Sequence, residues 1–167
     1  TQIAYLADCH KGIVKERNPV HYLLFITYFP HLIAGPILHH KQMMPQFARA
    51  DTYRISQENI AVGLTIFAIG MFKKMAIADP LANFAGPVFA VSKHPGLLST
   101  DEAWLGALAY CLQLYFDFSG YSDMAIGLSR LFGIKLPLNF NSPYKSTNII
   151  DFWRRWHMTL SQFLRDY

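Results

Sequence analysis

The residue whose surroundings best suit proton chemistry is His157, within the run NFNSPYKSTNIIDFWRRWHMTLSQFLRDY at 139–167. Asn148 is placed to cap a helix, with Asp151 three positions on as a weak capping box and a first-turn anion. Nothing from there to Tyr167 breaks a helix, so the spacing predicts one continuous helix to the end. At about 100° per residue, Trp153, Trp156, His157, Leu160, Leu164 and Tyr167 share one face. Arg154, Arg155, Thr159, Gln162, Arg165 and Asp166 share the other. An imidazole among two indoles and a phenol, away from charge, is held neutral near pH 7 and able to accept a proton.

The residues alone leave a plainer reading open beside this one. A lone histidine on an apolar helix face is in most cases a satisfied core residue, and paired tryptophans are more often packing or a membrane-interface belt than a substrate platform. Asp151 and Arg155 make an ordinary i,i+4 pair. Asn139 and Asn141, in the irregular LPLNFNSPY segment, either satisfy turn backbone or donate to a substrate, with the turn role favoured. Asp117 and Asp123 flank Phe118-Ser119-Gly120-Tyr121-Ser122. Six residues apart, they sit about 120° apart on a continuous helix, a poor acid/base dyad unless Gly120 turns the chain. Ser161 lies four residues after His157 and about 40° away on the helix, but has no visible third member, so an acyl-enzyme is not supported.

His31, His39 and His40 invite a metal reading. Adjacent histidines on a helix point about 100° apart, and no Asp, Glu or Cys accompanies them at ligand spacing, so no metal site is expected. Cys9 and Cys111 form no ligand pair and are expected to be free thiols.

Several long stretches together resemble one family. FWRRWHMTLSQFLRDY at 152–167, HLIAGPILHHKQMMPQF at 31–47, GMFKKMAIAD at 70–79 and LQLYFDFSGYSDMAIGLSRLFGIKLPLNFNSPY at 112–144 are similar to the membrane-bound O-acyltransferases. The likeness is to the bacterial branch that holds alginate O-acetyltransferase and the D-alanyl transferase of teichoic acid synthesis. It covers most of the chain from Tyr28 onward. The resemblance implies a polytopic, all-α integral membrane protein of the bacterial inner or plasma membrane. It implies acyl transfer from a thioester donor, acetyl-CoA or an acyl carrier, to a polysaccharide hydroxyl, with no tightly bound cofactor. His157 maps onto one of two catalytic-centre histidines that meet donor and acceptor inside a tunnel. Trp153, Trp156, Asn139, Asn141, Tyr144, Asp117 and Asp123 are candidates for lining that tunnel. Membrane lipid and partner envelope acetyltransferase proteins are the implied associates. The second histidine lies on a later helix in the family, and nothing here corresponds to it. The WRRWH form and the LIAGPI and FKK neighbours lean toward acetylation over D-alanylation. The rivals are a transporter or scaffold in which His157 merely packs, and a soluble helical bundle.

The elements that must position these residues read as follows. Charged residues are 16% of the 167 and hydrophobic residues 52%, a balance shifted toward a membrane from the roughly 25% charge of soluble domains. Only Asn18 to His40 runs 18 or more residues without Asp, Glu, Lys or Arg, and Pro30, Gly35 and Pro36 argue against one straight span there. Residues 57–79 read as the clearest long helix, capped by Ser56 and ended by Asp79-Pro80. Gly63 and Gly70 would allow a neighbouring helix to approach, while Lys73 and Lys74 near its end are expected to snorkel, a reading favoured over contact with a donor phosphate. An apolar element at 81–91, a loop at 92–102, a helix at 101–118 bent or broken near Gly120, and a helix at 122–132 follow. The net charge of +4 is dispersed, without the clustered basic face that nucleic acid requires. Lys/Arg counting puts 41–58 and the last segment toward the cytoplasm and 80–102 outside. The chain begins at Thr1 and stops inside its most informative helix, so it reads as a piece of one longer transmembrane domain.

Overall fold

The computed structural model describes residues 2–14, 18–32, 35–91 and 98–167. Residues 15–17 of the basic link, Ile33 and Ala34 of the FPHLIAGPI break, and 92–97 of the expected loop lie outside them. Every regular element among the described residues is helical. In chain order these are α1 (Gln2–His10), α2 (Pro19–Thr27), α3 (His40–Phe47), α4 (Gln57–Phe72), α5 (Asp79–Val91), α6 (Thr100–Leu131), α7 (Ile149–Arg155) and α8 (Met158–Asp166).

The long helices form the frame. Ser56 caps α4 by accepting from the Asn59 N–H, and Ser99 with Glu102 makes a complete capping box at the start of α6. Asp79-Pro80 does not end the α4 helix. A π-helical turn, Lys73–Ala78, joins α4 directly to α5. Pro80 lacks an N–H, and in a regular helix its ring collides with the carbonyl four residues back; a wide turn just before it is where such a misfit is absorbed. The resulting run, Gln57–Val91, is 35 residues and is apolar and long enough to cross a membrane. Only 11% of its most apolar stretch is buried, whereas the core helix of a soluble bundle would be mostly covered. Leu64, Phe72, Phe84, Trp104, Leu105 and Leu108 are all more than half exposed, giving the α4–α5–α6 unit an apolar outer surface.

The expected bend at Gly120 is also absent, because α6 runs unbroken for 32 residues. Gly120 is needed for contact and not for a turn. A Cβ on Gly70 would lie 2.6 Å from the Gly120 carbonyl oxygen, and one on Gly120 would lie 2.7 Å from that of Gly70. Gly63 and Gly127 repeat this arrangement two turns away, so α4 and α6 touch backbone to backbone. Gly70→Ala is therefore expected to cost about 1–3 kcal/mol through overpacking. A Cβ on Gly86 would meet nothing within 4 Å beyond its chain neighbours, so Gly86→Ala brings no overpacking between helices and should cost less than Gly70→Ala. Crowding of the new Cβ against the Pro87 ring offsets the better helix propensity of alanine. Thermal melting of the two variants in detergent tests the contrast; equal melting temperatures would contradict it.

The π turn also redirects the two lysines. They do not snorkel outward. Lys73 Nζ lies 2.5 Å from Asp123 Oδ2, and Lys74 Nζ lies 2.7 Å from both Asp79 and Asp117. Charges on an apolar helix pair are tolerable only when paired in this way.

The hydrophobic core of the described residues gathers where α1, α2 and α3 meet: Tyr5, Phe25, Met43, Met44 and Phe47, with Leu38 from just before α3 and Ala125 from α6. Of the described residues in the FPHLIAGPI break, Phe29–His31 form a 3-10 turn, and residues 35–39 form no regular element before α3 begins at His40, with His39 itself extended.

Candidate functional site

The continuous helix predicted over 148–167 is two helices. Asn148 does cap α7, accepting from the Asp151 N–H at 2.8 Å, and Arg155 does pair with Asp151 at 2.9 Å. The helix then stops at Trp156, which is extended, and His157, whose φ of 44° lies in the left-handed region. Outside glycine that region is costly, about 1–3 kcal/mol, and such residues cluster at functional sites. Histidine is among the few side chains that enter it with any frequency.

An outside segment takes over the backbone groups of the break. The Met158 N–H donates to the Asn139 carbonyl at 2.9 Å, and the Asn141 N–H donates to the Arg155 carbonyl at 2.9 Å. The Asn139 side chain, only 1% exposed, completes the lock. Its Oδ1 accepts from the Thr159 hydroxyl at 2.9 Å and from the Thr159 N–H at 3.4 Å, while its Nδ2 donates to Ser122 on α6 at 3.2 Å. Asn139 thus caps α8 from a distant part of the chain. His157 occupies the N-cap position without having to cap, and its ring is left for other use.

That ring stands edge-on to Phe118 of α6, with centroids 4.8 Å apart. Burial pushes it below the ordinary imidazole value. Helices of seven and nine residues flank it, too short to span a bilayer. Among the described residues neither ring nitrogen has a hydrogen-bond partner, so a proton acceptor is presented without a competing donor. Trp156 lies at the centre of an aromatic cluster, 5.1 Å from Phe140, 5.6 Å from Phe152 and 6.3 Å from Tyr115 by ring centroids. Tyr144 joins the same cluster and donates its hydroxyl to the Cys111 carbonyl at 2.6 Å.

The expected single face is therefore divided. Trp153 is exposed and lines a cleft of about 460 Å³ between α7 and α8 with Ile150, Arg154, Met158, Ser161, Gln162 and Arg165. Tyr167 turns away to Asp8 and His39. Asp117 and Asp123 spend their charge on Lys74 and Lys73 toward α4 and α5, and are not brought together as a dyad. Asn141 contributes through its backbone. Ser161 donates to the Trp153 carbonyl at 3.1 Å.

Phe118, Phe140, Ser122 and Thr159 were not singled out by sequence reasoning. Phe118 and Ser122 lay beside Asp117 and Asp123 in a segment expected to bend. Once α6 is unbroken, Phe118 and Ser122, four apart, fall on one face toward the break, which is the i,i+4 signal that would have found them.

The reason for expecting no metal site also fails in three dimensions. His39 precedes α3 with extended backbone, so the two adjacent rings are not splayed by a helix. Asp8 of α1 arrives beside them, and ligand atoms of Asp8, His39 and His40 lie within 4.8 Å of one another.

Comparison with known proteins bears on all of this. The family model described as "MBOAT, membrane-bound O-acyltransferase family" matches residues 9–167. A peptidoglycan O-acetyltransferase of Helicobacter pylori is 58% identical over 99% of this chain and 36% of its own length. A probable alginate O-acetylase of Azotobacter vinelandii is 49% identical over 99% of this chain and 32% of its own. A teichoic acid D-alanyltransferase of Bacillus subtilis is 35% identical, over 99% and 41% respectively. The chain spans about a third of the length of the first two relatives.

Proposed function

Since the chain belongs to the membrane-bound O-acyltransferase family, we propose that it supplies the His157 half of a membrane-embedded O-acyltransferase acting on a polysaccharide of the bacterial cell envelope. The observation that carries this reading is the break at 156–157. A strained, left-handed histidine, held by a distant asparagine and backed by an aromatic ring, presents an imidazole without a hydrogen-bond partner among the described residues.

In the proposed reaction the neutral His157 ring takes the proton of an acceptor hydroxyl as its oxygen attacks the carbonyl carbon of an acyl thioester. The new C–O bond forms, the carbonyl oxygen gathers negative charge, and the C–S bond then breaks. The imidazolium returns its proton to the departing thiolate, so His157 ends neutral. Stabilisation of the oxyanion falls to donors contributed by the rest of the protein, among them the family's second histidine. No covalent acyl-enzyme is required, because Ser161 donates its hydroxyl to the Trp153 carbonyl and, among the described residues, to no base. Donor and acceptor are co-substrates, and no tightly bound cofactor is part of the scheme. The apolar outer surface of α4 to α6 faces lipid or further spans of a multi-pass inner-membrane protein, and other envelope acetyltransferase proteins pass the acyl group onward.

Among acyl groups, acetyl is favoured by the identities of 58% and 49% to acetylating relatives against 35% to the D-alanylating one. Of the polymers, peptidoglycan stands first on the same ground, ahead of a secreted alginate-type chain. The test is deletion of the full-length gene in its host, with ester-linked acetate measured on peptidoglycan and on secreted polysaccharide, and D-alanyl ester on any teichoic acid. Loss of acetate from one polymer, restored by the wild-type gene, is the expected result. Loss of D-alanyl ester alone would overturn the acetyl assignment, and three unchanged esters would overturn acyl transfer to the envelope.

A further inference from the structure

We infer that Asp8, His39 and His40 form a binding site for one divalent transition-metal ion, best matched by zinc, which clips α1 to the start of α3. Two imidazoles and a carboxylate are a zinc donor set. The three come from two distant segments, and their ligand atoms already converge to within 4.8 Å of one another. His40 Nδ1 is 3.6 Å from Asp8 Oδ2, close to the roughly 3.4 Å edge of a tetrahedron with metal–ligand bonds near 2.1 Å. The Tyr167 hydroxyl lies between the other two groups, 2.8 Å from Asp8 Oδ2 and 3.0 Å from His39 Nε2. It marks the fourth position, to be filled by that hydroxyl or by water.

Burial strengthens the case. Asp8 is 4% and His40 5% exposed, and charged or half-satisfied groups this deep are held by a partner or an ion. The ring nitrogens that face the cluster are His40 Nδ1 and His39 Nε2, while the opposite nitrogens, His39 Nδ1 and His40 Nε2, are buried without a hydrogen-bond partner and stay outside the ion's coordination sphere. At 3.6 Å the His40–Asp8 contact is too long for a good hydrogen bond, so the pair is arranged without being joined. An ion held by the three would join them and give the Asp8 carboxylate its counter-charge.

The site lies apart from the proposed chemistry but is mechanically linked to it. Ile37, two residues before His39, donates its N–H to the Thr159 hydroxyl at 3.0 Å, and Thr159 is the residue that Asn139 holds at the start of α8. A clip on His39 and His40 thus steadies one wall of the His157 break. Its role is positional, and its existence does not depend on the acyl-transfer reading.

The test is direct metal binding by the full-length parent protein, purified in detergent through a tag without histidines, stripped with chelator and titrated with Zn²⁺ or Co²⁺. About one equivalent of tightly held ion per chain is expected, with the visible absorption of tetrahedral Co²⁺. Asp8→Asn, His39→Ala and His40→Ala should each weaken binding by about tenfold or more, while His10→Ala, an exposed neighbour on α1, should not. His40→Cys serves as a gain-of-signal variant: a correctly folded site acquires a thiolate-to-cobalt charge-transfer band that the wild type lacks. Zn²⁺ should also raise the wild-type melting temperature, and not that of His39→Ala. Absence of a stoichiometric ion in the wild type would overturn the site. So would full binding by the three variants, or a His40→Cys protein that binds Co²⁺ without the new band.

Discussion

Replacing His157 with asparagine is expected to abolish ester formation while leaving the melting temperature nearly unchanged. Asparagine tolerates the left-handed backbone at least as well as histidine, and α8 is capped by Asn139 and not by residue 157. The fold therefore loses little. What it loses is a group that can take up a proton, and removing a positioned general base costs on the order of 10²–10⁴-fold in rate. His157→Ala should show the same loss with a small added instability, because alanine at φ 44° is less at ease than asparagine. The full-length protein, reconstituted with a thioester donor and a polysaccharide acceptor, gives the rate, and detergent melting gives the stability. If His157 only packs against Phe118, the pattern inverts: stability falls and turnover persists.

The same experiment carries a pH dependence whose sign follows from burial. Desolvation disfavours the charged imidazolium, so the folded value lies below the ordinary one. The active form is the neutral ring, present above that value and lost as pH falls through it. The acid limb of the wild-type kcat/KM profile should therefore sit lower than an exposed histidine would place it. A limb at or above the ordinary imidazole value would argue for a different base.

Replacing Asn139 with alanine is expected to destabilise the protein by about 2–3 kcal/mol, the cost of stranding buried polar groups, and to suppress activity even though His157 is untouched. The carboxamide serves Ser122, the Thr159 hydroxyl and the Thr159 N–H together. Without it, the α8 N-terminus loses its cap, and only the backbone bonds to residues 139 and 141 hold residues 156–157 against rejoining α7 and α8 into one regular helix. In that helix His157 would rotate away from Phe118. Asn139→Asp keeps the acceptor at a helix N-terminus, where negative charge is favourable, and the Ser122 hydroxyl can turn to donate; partial rescue of both stability and activity is expected. Hydrogen exchange at the amides of residues 156–159 provides the structural readout. Ordinary melting and unchanged protection in Asn139→Ala would show that the backbone pairing alone keeps the break open.

What the amino-acid sequence determines here is largely local. Ser56, Ser99 with Glu102, and Asn148 cap helices by short-range hydrogen bonds between neighbours in the chain, and such signals are legible before any fold is known. The paired glycines Gly63 and Gly70 announce a close helix approach for the same reason: the absence of a side chain is a property of the residue itself. The motifs at 31–47, 70–79, 112–144 and 152–167 carry the family, and the family match over 9–167 bears that out.

Tertiary structure decided everything that depends on competition between near and distant partners. Residues 155–158 have good helix-forming neighbours and no glycine or proline, so local energetics favour continuity. The helix breaks because Asn139 and Asn141, contiguous with it only in space, offer their own backbone and side-chain groups to the same amides and carbonyls. Gly120 reads as a break point in isolation and becomes a contact once Gly70 lies against it. Lys73 and Lys74 read as outward-facing until a π turn and two aspartates forty to fifty residues away draw them in. His39 and His40 look splayed until extended backbone brings their rings together and Asp8 arrives from α1. In each case the local preference is worth a kcal/mol or so, and a handful of buried, mutually satisfied long-range contacts outweighs it.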